Sequence, residues 1–206
     1  MSSQDFPVHP ELTVHSGQTI YRSDEWWKAA VLQSFDGGDP EIAIYLWHLD
    51  DEWTRKNKYQ VKTADAWNED QTRIKQYLAA DGDSVEDQTE FPVSDYYRIS
   101  HGETVFKTDR WWKAIVTISQ KGSYETQEVI IYLWQNTDST WRRRQKYAIK
   151  DADDWEADRR AVDELLAGTT DGESTSETTS ISNDDGILAD IEADIKDFHL
   201  GSGISE

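Results

Sequence analysis

In a chain of 206 residues without a single cysteine, the side chains best suited to chemistry are aromatic rings alternating with cations. Trp26 and Lys28, Tyr45 and Trp47, and Lys56, Lys58 and Lys62 occupy one set of alternate positions. Trp111 and Lys113, Tyr132 and Trp134, and Arg144, Lys146 and Lys150 repeat the set further along. The chemistry this pattern allows is non-covalent. Unstacked bases lie on aromatic rings at roughly 1 to 3 kcal/mol per base, while Lys and Arg follow the phosphates. Segment 53–62 holds Arg55, Lys56, Lys58 and Lys62 with no acid, and segment 141–150 holds Arg142, Arg143, Arg144, Lys146 and Lys150 with no acid. These residues therefore predict a single-stranded nucleic-acid partner, DNA before RNA, for an accessory protein of transcription, replication or repair. The same rings fit a second reading, a non-enzymatic scaffold whose aromatic sheet faces pack between two small modules.

Covalent chemistry has no comparable constellation. The five histidines, His9, His15, His48, His101 and His199, form no HExxH, and no carboxylate pair at a useful spacing and no Gly-rich phosphate loop accompany them. Glu25 and His48 return in the second half as Arg110 and Gln135, as surface positions do. Asp24 and Asp109 do match, but a turn or cap role suits them. The expectation is a protein that is not an enzyme and needs no metal or cofactor.

The elements that must position these rings come twice. Gln18 to Ala29 returns as Glu103 to Ala114, Glu41 to Trp47 as Glu128 to Trp134, and Trp53, Lys58, Tyr59 and Trp67 as Trp141, Lys146, Tyr147 and Trp155. The offset grows from 85 to 87 to 88, first between Ser34 and Pro40 and then between His48 and Glu52. Loops absorb insertions and strands do not, so the drift marks two turns. Residues 19–33 alternate with period two as a strand or bent strand pair, 41–47 as a second and 53–62 as a third, all rich in aromatic and β-branched types. Helical spacing then takes over, with Thr63 and Asp151 as N-caps and Trp67, Ile74, Leu78 and Trp155, Val162, Leu166 as apolar stripes.

The predicted fold is α+β, two tandem modules, each an antiparallel sheet of three or four strands followed by one helix. The first module spans 15–78 and the second 96–167, with an acidic linker at 79–95 and a disordered acidic tail at 168–206. Under its own helix each sheet should bury, in the first copy, Trp27, Ala29, Val31, Ile42, Ile44, Leu46, Tyr59 and Val61, leaving the aromatic and cationic set on the opposite face.

Charge sharpens the partner question. The net charge of −20 would repel a phosphate backbone if it were spread evenly, but the tail holds ten acids against one base and the linker six acids and no base. The folded modules are close to neutral. An acidic exterior of this kind suits a salt-rich cytoplasm of the halophilic type. There screening shortens to about 3 Å at 1 M salt, so stacking has to carry affinity. No basic n-region opens the chain and no apolar run spans a membrane, so the expected location is cytoplasmic. Within the tail, Ile187, Leu188, Ile191, Ile195 and Phe198 share one helical face over 187–199, which predicts a docking motif for a protein partner.

Ile130-Ile-Tyr-Leu-Trp134, Trp141, Arg142-Arg-Arg-Gln-Lys146-Tyr-Ala-Ile149 and Trp155, with Ile42 to Trp67 as a first copy, resemble the positive-cofactor-four family of single-stranded-DNA-binding transcription coactivators. Tyr59 and Tyr147 stand where that family's strand has glycine. The resemblance implies four antiparallel strands and a helix per copy, with a basic, aromatic sheet surface offered to unpaired DNA. The family dimerises, so two copies in one chain imply a monomer that acts as an internal pseudo-dimer, its two modules in a pseudo-twofold arrangement.

Overall fold

A computed structural model describes residues 5–61, 63–79, 90–120 and 127–170. The tail beyond Thr170, with the docking helix expected at 187–199, lies outside them, as do Lys62 and most of the acidic linker.

Each repeat is four strands and a helix. The first runs β1 (Leu12–Arg22), β2 (Trp26–Phe35), β3 (Glu41–Leu49), β4 (Trp53–Val61) and α1 (Ala64–Ala79). The second runs β5 (Tyr97–Lys107), β6 (Trp111–Gln120), β7 (Gln127–Thr137), β8 (Thr140–Ile149) and α2 (Ala152–Thr170). Both sheets keep sequence order across four strands, β1-β2-β3-β4 and β5-β6-β7-β8. The α+β class and one helix after each antiparallel sheet thus stand as expected, and the strand number resolves to four. α2 continues through Thr170, past the boundary expected at 167.

The turns sit where the repeat offset drifts. Between β2 and β3 the chain reverses through Asp36 and Gly37, both left-handed (φ 46° and 73°). Between β7 and β8 it reverses through Asp138 and Ser139 (φ 52° and 63°), a two-residue hairpin closed by the Thr137 and Thr140 pair. The first repeat reaches β4 by the longer connection through residues 50–52. Both helices begin on the expected caps: Thr63 Oγ1 accepts from the Ala66 amide at 3.1 Å, and Asp151 Oδ1 from the Asp154 amide at 2.8 Å.

The helices do not close their own sheets in the simple way that periodicity suggests. The chain forms two compact units, each drawn from both repeats. One joins the first sheet to α2 from Arg160 onward. The other joins the second sheet to α1, to residues 57–59 of β4 and to the start of α2. In this second unit α1 lies against β6 and β7. An apolar stripe on a helix states that a face is buried, but in a duplicated sequence two equivalent sheets can bury it.

The core of that unit is aromatic and threaded by polar bonds. Trp67 packs on Trp155 with ring centroids 5.2 Å apart, and Tyr59 on Tyr147 at 5.4 Å. The Tyr59 hydroxyl donates to the Asp70 carboxylate and Tyr147 to that of Asp158, both acids fully enclosed. Burial first, and the adjacent carboxylate second, push both phenols well above their usual range, so they remain donors. Lys113 on β6 also donates to Asp70, tying a strand of the second repeat to the helix of the first.

Candidate nucleic-acid interface

The pairing of β2 with β3 decides which side chains share a face. Trp27 stands opposite Trp47, Ala29 opposite Tyr45 and Val31 opposite Ala43. Directly opposed residues point to the same side, so Trp27, Tyr45 and Trp47 form one face while Trp26 and Lys28 join His48 and Leu46 on the other. The second repeat does the same, with Trp112 against Trp134 and Ala114 against Tyr132. This corrects the expected sorting, which placed Trp27 with Ile42, Ile44 and Leu46 under the helix and Trp26 with Trp47. Alternation fixes two sets within each strand. A one-residue shift of register exchanges which sets of neighbouring strands match.

The aromatic face is a stack built twice. Tyr45 stacks on Trp47 at 4.9 Å, Trp47 leans on Trp27 at 5.6 Å, and Trp53 meets Trp27 edge-on at 5.7 Å. Tyr132, Trp134, Trp112 and Trp141 reproduce these contacts at 4.8, 5.5 and 5.5 Å. Across each stack runs a short strap. Phe6 sits 5.3 Å from Trp27 and 6.5 Å from Trp47, and Phe91 sits 5.5 Å from Trp112 and 6.5 Å from Trp134. Each phenyl ring rests over a glycine. A Cβ on Gly17 would meet Phe6 at 2.4 Å and one on Gly102 would meet Phe91 at 2.3 Å, so only glycine admits the ring. In consequence Tyr45, Trp47, Tyr132 and Trp134 are buried, the two tryptophans at 0% exposure.

Cations rim this face. In β1 the ladder skips Ile20, and in β5 it skips Val105. The extra residue lets two side chains three positions apart reach the same ring. Thr19 Oγ1 accepts from Trp27 Nε1 at 3.0 Å while Arg22 lies 4.0 Å above the indole. Thr104 and Lys107 hold Trp112 alike, at 3.0 and 3.5 Å. On β8, Arg143 stands opposite Trp134 and Lys146 opposite Tyr132. Lys146 lies 5.5 Å from the Tyr97 ring. Burial, with help from Arg143, lowers the Lys146 ammonium from its usual pKa against the pull of Glu128, and burial pushes Tyr132 up to about 12.

The residues expected to bind are thus divided between two sides. Tyr45, Trp47, Tyr132, Trp134 and Lys146 belong to the aromatic face. Lys58 joins them by alternation from Tyr59, and is buried. Trp26, Lys28, Trp111 and Lys113 stand on the helix side, where Trp26 packs on His48 at 4.4 Å and Lys113 is held by Asp70. Arg144 donates to Gln135 at 2.9 Å, Lys56 pairs with Asp50 at 3.7 Å, and Lys150 is exposed. Lys62 and the five tail residues Ile187, Leu188, Ile191, Ile195 and Phe198 lie outside the described residues.

Sequence reasoning missed the strap and its cation partners. Phe6-Pro7-Val8 returns as Phe91-Pro92-Val93 at the same offset of 85 that relates the first strands. Extending the self-comparison upstream would have found it. Tyr21-Arg22 and Phe106-Lys107 were inside the matched segment but were not singled out, because a bulge breaks the alternation that would have sorted them.

No protein-family model, curated protein or solved structure matches the chain. Among the described residues no three His, Asp or Glu side chains converge as a metal site, and no helix is long and apolar enough to cross a membrane.

Proposed function

We propose that the protein binds single-stranded nucleic acid, DNA in the first place, as a non-catalytic accessory of transcription, replication or repair. The two repeats act as an internal pseudo-dimer, in the manner of the positive-cofactor-four family that the sequence resembles. What carries the reading is the pair of cations poised over tryptophan at equivalent places, Arg22 over Trp27 and Lys107 over Trp112, beside half-buried Trp53 and Trp141 and the basic strands β4 and β8. Ring edges and cations along one rim match a base and its phosphate.

The burial of Trp47 and Trp134 favours a second reading, in which the aromatic faces are structural and the chain is an interaction scaffold whose acidic tail docks a partner. Titrating a short oligothymidylate and its duplex into the protein, followed by tryptophan fluorescence, separates the two. The expected result is binding of the single strand in preference to the duplex, with the Lys107→Ala, Arg143→Ala variant losing affinity and about 0.7 of logarithmic salt slope per phosphate contact removed. Absence of binding at both low and molar salt leaves the scaffold reading.

A further inference from the structure

We propose that each aromatic face is a docking site for a peptide segment of the form acid-Phe-Pro-Val, and that the chain's own two straps are tethered occupants which a partner protein carrying such a segment displaces. This goes beyond the nucleic-acid reading and does not depend on it. The chemistry of the occupant is read from what is seated there. Phe6-Pro7-Val8 and Phe91-Pro92-Val93 are identical, and each follows an exposed acid, Asp5 or Glu90. The residues that join them to β1 and β5, His9-Pro10-Glu11 and Ser94-Asp95-Tyr96, match at no position. The tripeptide and its acid repeat; the tether does not.

The seat is fitted to that tripeptide. The phenyl rings are almost fully enclosed, against Trp27 and Trp47 in one repeat and Trp112 and Trp134 in the other, and they rest where a Cβ on Gly17 or Gly102 would collide. Val8 and Val93 pack beside them. A ring in a desolvated pocket is the kind of anchor that carries binding energy at an interface. Arg22 and Lys107 lie over the same Trp27 and Trp112 that the rings touch, so charge favours an acid just ahead of the phenylalanine.

The straps are held in a way that lets them exchange. Each tripeptide closes on itself, the Val8 amide donating to the Phe6 carbonyl at 2.8 Å and the Val93 amide to the Phe91 carbonyl at 2.7 Å. Among the described residues neither makes a backbone hydrogen bond to the sheet. Proline fixes the backbone between the two ends of that turn. The bound shape is therefore local to three residues, and the same segment on another chain brings every contact that the strap makes. The tether contributes only effective concentration, on the order of millimolar.

The test is the binding of a labelled synthetic peptide of residues 4–10 to the full chain. Phe6→Ala and Phe91→Ala, each alone, open one seat, whereas Gly17→Ala expels the ring and fills the seat. Either Phe→Ala variant should bind the peptide about tenfold more tightly than wild type, because the tethered competitor is gone, and its melting temperature should rise with added peptide. Gly17→Ala should bind no better than wild type, and a peptide with alanine in place of phenylalanine should not bind. Should Phe6→Ala not fold, Phe6→Leu, a smaller plug on the same glycine, takes its place with the same expected order. A folded Phe→Ala variant that ignores the peptide up to millimolar concentration, or a Gly17→Ala variant that binds as well as Phe6→Ala, overturns the proposal. Wild-type dimers on sedimentation that the double variant Phe6→Ala, Phe91→Ala abolishes would assign the seats to a second copy of the chain and overturn the partner reading.

Discussion

At the scale of single residues, Lys113 shows how a cation that looks like a ligand-binding group can be committed to structure. Its ammonium donates to Asp70, whose carboxylate also accepts from Tyr59 in an enclosed site. The carboxylate needs both donors, since a buried charge deprived of its partner loses hydration without replacement. Lys113→Ala should therefore cost about 3 kcal/mol of stability, more than surface lysines cost. Asp70→Asn in the same chain should recover part of the loss. Denaturant melts of the four members of this cycle measure the coupling, and a Lys113→Ala effect no larger than that of Lys150→Ala would show the pair to be idle. Nothing in the sequence marks Lys113 apart from Lys146. Both sit in alternating aromatic and cationic strands, and only the pairing of β6 with a helix contributed by the other repeat gives one of them a buried acid.

At the scale of elements, most of what periodicity can say was legible and what pairing decides was not. Strands, caps, turns and helical stripes follow from local chemistry: β-branched and aromatic alternation, Thr63 and Asp151 ahead of apolar stripes, drift confined to reversals. The face of β2 against β3 follows from register, which a single sequence leaves free by one residue, and that residue moved Trp27 to the side of Trp47. The straps were hidden for a different reason. Phe6-Pro7-Val8 has no period of its own, and it gains meaning only from the glycine seat eleven residues later. That seat makes a sharp prediction. Gly17→Ala would put a methyl 2.4 Å from the Phe6 ring and 3.2 Å from the Ala30 carbonyl oxygen, so the ring must leave. The loss should be about 2 kcal/mol, from the phenyl burial forgone. Trp27 and Trp47 should then become accessible to a soluble fluorescence quencher. Phe6→Ala added to Gly17→Ala should cost nothing further, and full additivity of the two would show that the glycine serves some other purpose.

At the scale of the whole molecule, the interleaving of repeats governs how the chain folds. The second unit takes its core from both copies: Trp67 on Trp155, Tyr59 on Tyr147, and Asp70 between Tyr59 and Lys113. Neither copy can complete that core alone. A fragment of residues 5–79 would carry α1 with Trp67 and Ile74 on an apolar stripe and no β6 or β7 to bury it against. Small domains have little stability to spare, and exposing two large apolar side chains at about 1.5 to 3 kcal/mol each would consume much of it. A second copy of the same fragment offers equivalent strands, so the fragment should fold as a homodimer and unfold on dilution. The intact chain should melt in one transition independent of concentration, because its second copy is already attached. Sedimentation of the fragment over a range of concentrations, beside thermal melts of the full chain, tests both halves. A fragment that is folded and monomeric, or an intact chain with two separate transitions, would show that each repeat closes on itself and that the exchange of α1 is dispensable.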